Sequence, residues 1–71
     1  MTPQERKAEF GRLFSAIPGR NIDRIRKVCA ILHYKENTVR IFTMKGDQGK
    51  TMPEAKLKIL QRELQREGIA V

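Results

Sequence analysis

The sequence predicts an all-α fold, a small domain of four to five helices with a central helix-turn-helix, and three observations predict it. In the stretch Val28-Cys29-Ala30-Ile31-Leu32-His33-Tyr34-Lys35-Glu36-Asn37-Thr38-Val39-Arg40-Ile41-Phe42, the apolar residues fall where two short helices crossing at a tight turn need them. Val28, Leu32, Val39 and Phe42 share one seam, the small Cys29 sits where the helices approach, and Tyr34 plugs the turn. On either side, apolar residues recur at helical spacing between segments broken by proline and glycine. Finally, 71 residues leave room for one domain, whose core supplies only roughly 3–5 kcal/mol without help.

Thr2-Pro3-Gln4-Glu5 is a helix start, with Thr2 as cap, Pro3 in the first helical position and Glu5 closing a capping box. Phe10, Leu13, Phe14 and Ile17 follow on one apolar stripe, and the phenylalanines are read as core rather than as a stacking platform for bases. The helix should end at Ser15 or Ala16, before Pro18-Gly19. Asn21 is the expected N-cap of a second helix beginning at Ile22, with Asp23 near the positive end of its dipole. Ile22, Ile25, Val28, Cys29 and Leu32 form its buried side. Cys29 reads as an inert core thiol, and His33 as a turn or capping residue.

Thr38-Val39-Arg40-Ile41-Phe42-Thr43 is rich in β-branched residues and alternates, so a strand is a rival to the third helix. A helix from Glu36 to Met44 is favoured, because Val39 and Phe42 then complete the seam with Val28 and Leu32. Lys35, Glu36, Asn37, Arg40, Ile41 and Met44 are left facing outward as candidate contacts to DNA bases. Lys45 to Lys50 is a basic, glycine-containing connection in which Gly46 is a natural helix end. Thr51-Met52-Pro53-Glu54 repeats the capping-box pattern and opens a fourth helix with Leu57, Leu60 and Leu64 buried and Ile59 beside them. After Gly68, the apolar tail of residues 68–71 either folds back on the core or pairs with its copy in a second subunit.

The charge points to an anionic partner. Fifteen Lys and Arg face eight Asp and Glu, a net of +7. Residues 20 to 50 hold eight bases and three acids, so the excess lies over the proposed helix-turn-helix. Arg24, Arg26, Lys27, Lys45 and Lys50 are the candidate phosphate contacts. Cys29 is the only cysteine and His33 the only histidine, so one chain assembles neither a disulfide framework nor a zinc site, and no cofactor is expected. Dimerisation is the remaining staple, with Leu64, Ile69 and Val71 as the expected interface. No apolar run approaches the ~20 residues of a membrane span and no signal peptide is recognised, so a soluble, cytoplasmic protein is expected.

These residues resemble the lambda-repressor and Cro-like helix-turn-helix family of small phage and bacterial transcription regulators, over roughly residues 22 to 64. The resemblance rests on Val28, Cys29 and Leu32, the turn His33-Tyr34-Lys35, Thr38-Val39 in the recognition helix, Phe42 as its inner anchor, and a last amphipathic helix from Pro53 to Leu64. His33 stands where the family usually has glycine, Cys29 where alanine is usual, and Lys35 where a capping serine is common. The same substitutions fit helix-turn-helix domains of the response-regulator or sigma-factor type. The resemblance implies a sequence-specific, double-stranded-DNA-binding regulator, a Cro-type repressor acting as a homodimer in the major groove, and not an enzyme. The alternative is a small interaction protein covering an acidic surface of another protein, such as a host regulator or polymerase subunit. No carboxylate pair, nucleophile with base or metal cluster stands at usable spacing, and no small-molecule substrate is expected.

Overall fold

In the computed structural model, which describes residues 1–44 and 49–71, the chain forms four helices: α1 (Pro3–Ala16), α2 (Asn21–Leu32), α3 (Glu36–Thr43) and α4 (Glu54–Arg66). The capping box at the start of α1 is complete. Glu5 N–H donates to Thr2 Oγ1 at 3.1 Å, and Thr2 N–H donates to Glu5 Oε1 at 3.2 Å. α1 ends at Ala16 without a basic residue in its last turn. Arg24 from α2 meets this end instead: its Nε donates to the carbonyl of the C-cap residue Ile17 at 2.7 Å and its Nη2 to Ser15 O at 3.4 Å.

α2 starts one residue earlier than Asn21 as cap would give. Arg20 takes the N-cap position, and its N–H donates to Asp23 Oδ2 at 2.9 Å. Asp23 thus supplies the capping that Asn21 was expected to give. At α4 the predicted capping box does not form. Pro53 occupies the N-cap without a side-chain bond, while the Thr51 hydroxyl accepts from Arg6 at 3.3 Å.

The segment 38–43 is helical, not a strand: Val39 and Phe42, one turn apart, both lie in the core with Val28 and Leu32. The remaining core comes from Phe10, Leu13, Phe14 and Ile17 of the first segment, Ile25 of α2, and Leu57, Leu60 and Leu64 of α4. Met52 is also fully enclosed although it sits in the connection before α4. Ile22 is only half-buried, and Ile59 stands 41% exposed on the outside of α4. Among the described residues, no helix is long and apolar enough to cross a membrane.

At its end α4 is closed by Gly68 at φ +83°, a conformation that glycine takes without Cβ cost. Ile69 N–H then reaches back to Leu64 O at 3.0 Å and Gly68 N–H to Gln65 O at 3.0 Å, satisfying the last carbonyls. The tail folds back: Ile69 and Val71 pack half-buried on the core, and Gln65 Nε2 donates to Val71 O at 3.2 Å. Leu64 is 0% exposed, so its assignment to a dimer interface is corrected: its own chain encloses the side chain that a partner would need.

Candidate nucleic-acid interface

The turn between α2 and α3 is set by one residue. His33 adopts the left-handed conformation, φ 60° and ψ 36°, while its N–H caps α2 by donating to Cys29 O at 2.8 Å. The backbone then extends at Lys35, φ −78° and ψ 154°, and Lys35 O accepts the first α3 bond from Val39 N–H at 3.2 Å. Tyr34 fills the angle, its ring 5.6 Å from that of Phe42, which in turn lies 6.1 Å from Phe10. α3 is therefore held against both α1 and α2 through Phe42.

With Val39 and Phe42 turned inward, Lys35, Glu36, Asn37, Arg40 and Met44 are exposed and Ile41 is half-buried. Asn37, Arg40, Ile41 and Met44 follow the i, i+3, i+4, i+7 spacing of one helix face. The side chains of Lys35, Asn37 and Arg40 have no hydrogen-bond or ion-pair partner among the described residues. Glu36 differs, because its Oε1 meets Arg26 Nε at 3.4 Å across the turn. Both partners are well exposed, so the pair contributes at most about 1 kcal/mol and opens readily to a competing anion.

The candidate phosphate residues divide. Arg26 and Lys50 expose their side chains. Lys27 is half-buried and ion-paired with Glu67, the residue that follows α4. Arg24 is half-buried: its guanidinium donates to Ile17 O and Ser15 O and lies 6.0 Å from the Phe14 ring centroid, so it is engaged at the end of α1. Lys45 and Gly46 lie outside the described residues. Burial pushes the Cys29 thiol up in pKa, and the Glu36 carboxylate adds to this, the opposite of the depressed pKa that a reactive thiolate needs.

Two lysines that sequence reasoning passed over belong to this region. Lys56 of α4 places Nζ 5.7 Å from the Tyr34 ring centroid, beside the turn. Lys7 of α1 donates from Nζ to Phe42 O at 2.7 Å and to Lys50 O at 3.2 Å, at the far end of α3. Each reads in sequence as an ordinary solvated charge. Their partners lie 22 and 35 or more residues away in the chain, and no local spacing announces such contacts.

Comparison with protein-family models, with curated proteins and with solved structures gives no match for this chain. The geometry alone therefore carries the functional argument.

Proposed function

We propose that this chain is a sequence-specific DNA-binding regulator, a small repressor of the Cro type, which lays α3 in the major groove of double-stranded DNA and acts as a homodimer in the cytoplasm. The observation that carries the reading is the tight His33 turn, which holds α3 by Val39 and Phe42 and leaves Asn37 and Arg40 without partners among the described residues. Asn pairs bidentately with adenine and Arg with guanine, while Ile41 and Met44 offer apolar contact to a thymine methyl. Basic groups flank both ends of this face, Arg26, Lys35 and Lys56 near its start and Lys50 near its end, as two phosphate strands bordering a groove require. The likeness to lambda-repressor and Cro-like regulators rests on the same residues.

A gel shift on the duplex flanking the gene, repeated over a salt series, tests the proposal. Affinity is expected to fall with a log-log slope of about −0.9 per phosphate neutralised. A salt-insensitive complex, or no binding to any duplex at low salt, overturns it in favour of a protein partner with an acidic surface.

A further inference from the structure

α3 has eight residues and no side-chain cap at its start, so its ends need help from elsewhere. Three of its last four carbonyls find it. Arg40 O accepts from Thr43 Oγ1 at 2.7 Å, and Ile41 O accepts from the N–H groups of Met44 at 3.2 Å and Lys50 at 3.3 Å. Phe42 O accepts from the Lys7 ammonium at 2.7 Å. The same ammonium holds Lys50 O at 3.2 Å, so one cation from α1 ties the end of α3 to the backbone that returns beneath it.

From this arrangement, and resting on the DNA-binding reading above, we propose that Lys7 is a positioning residue for α3, fixing the end of the helix that carries Arg40 and leads into Met44 without itself touching DNA. A positive charge at a helix C-terminus is favourable to the helix dipole. Lys7 meets that condition in a partly desolvated place, where a charge-assisted bond is stronger than in water. Burial pulls the pKa of Lys7 below the ordinary lysine value, and the ammonium donates to the two carbonyls from that partly desolvated place. A backbone bond, Lys50 N–H to Ile41 O, closes the clasp from the chain itself.

The test is Lys7→Met, which keeps the aliphatic stem and removes the ammonium, with the exposed Lys58→Met as control. Amide hydrogen exchange is read at residues 41–44 and 50 and at α4, alongside affinity for operator and for random duplex. Exchange is expected to quicken at the end of α3 but not in α4, and operator-over-random preference to fall roughly tenfold, about the worth of one bidentate base contact. Random-duplex affinity and the salt slope stay as in the parent. Three results overturn the proposal: exchange that is unchanged, exchange that quickens equally in α4, or a salt slope that shrinks by about 0.9, which marks Lys7 as a phosphate contact. If the parent binds no duplex, the DNA reading falls while the exchange data still decide whether Lys7 holds α3. Should the variant not fold, the parent decides: nuclear Overhauser contacts from the Lys7 Cε protons to residues 42, 43 and 50 are expected, and their absence overturns the clasp.

Discussion

His33 donates its N–H to the Cys29 carbonyl at 2.8 Å from a left-handed backbone, φ 60° and ψ 36°, and is the only non-glycine residue with positive φ among those described. A left-handed L-residue costs about 1–2 kcal/mol, and histidine bears it better than most. His33→Gly is therefore expected to leave the fold intact and raise stability by up to about 1 kcal/mol, since the strain relieved exceeds the ~0.5–1 kcal/mol of added unfolded-chain freedom. His33→Val, β-branched, should lower it by about 1–2 kcal/mol. Urea denaturation of both variants checks this; a valine variant as stable as the parent contradicts the turn geometry.

Asn37→Ala and Arg40→Ala should each relax sequence preference by ~1–3 kcal/mol while circular dichroism reports unchanged helicity, because neither side chain supports the core. Binding to operator and to random duplex, measured in parallel, separates readout from general affinity. If both variants match the parent on both duplexes, α3 is not the reader.

Much of this interface was legible in the sequence because it is local. The seam residues Val28, Leu32, Val39 and Phe42 lie within 15 positions, so helical spacing alone brings them together and decides against the strand. The αL conformation at His33 was marked only indirectly, as a turn or capping residue standing where the resembled family usually has glycine. What stayed hidden depends on contacts between distant segments. Met52 sits among turn residues with no periodicity to mark it as core, and the fates of Arg24, Lys7 and Lys56 depend on how α1 and α4 pack against α2 and α3. Caps failed for a related reason: Asn21 and Thr51 have the right chemistry, but Arg20, bonded to Asp23, and Pro53 occupy the N-cap positions.

Gly49 sits against the end of α3 with no room for a side chain. A Cβ there would stand 2.2 Å from Met44 O and 3.1 Å from Lys7 Nζ, and the first of these is backbone that cannot swing aside. Gly49→Ala should therefore cost roughly 1–3 kcal/mol through forced backbone displacement, in contrast to Gly11→Ala, where the added methyl group meets nothing within 4 Å. On α1 that second substitution should stabilise by about 0.5–1 kcal/mol. Thermal melts of the pair give opposite signs if the close approach is real.

The capping box makes stability depend on acid in a known direction. Backbone and side-chain hydrogen bonds from Thr2 hold the Glu5 carboxyl below the usual carboxylate range. A group with a depressed folded pKa contributes its stability above its unfolded pKa and loses it as pH falls through the folded one. The first turn of α1 should thus fray as pH drops below the ordinary carboxylate range. A carboxyl titration followed by NMR should find Glu5 low in the parent and raised only part of the way in Thr2→Ala, which loses the hydroxyl but keeps the backbone N–H that bonds Glu5 Oε1; equal values in both would remove the hydroxyl from the account.

Oligomeric state is best probed on the outside of α4. Leu64→Asp is no test of an interface, since the side chain is 0% exposed and a charge there unfolds the chain. Removing residues 69–71 is no cleaner. Ile69 and Val71 pack on the core and Ile69 N–H closes α4, so the truncation should cost ~1–3 kcal/mol whether or not a partner exists. Ile59, by contrast, is 41% exposed, and Ile59→Lys changes only that outer face. If the proposed homodimer meets through α4, the variant should keep its melting temperature, sediment as a monomer at concentrations where the parent is dimeric, and lose cooperative binding to two half-sites spaced by ~34 Å. A parent that is itself monomeric at high concentration, and binds DNA one-to-one without cooperativity, rules the homodimer out. A parent dimer that Ile59→Lys leaves untouched moves the interface off this face of α4.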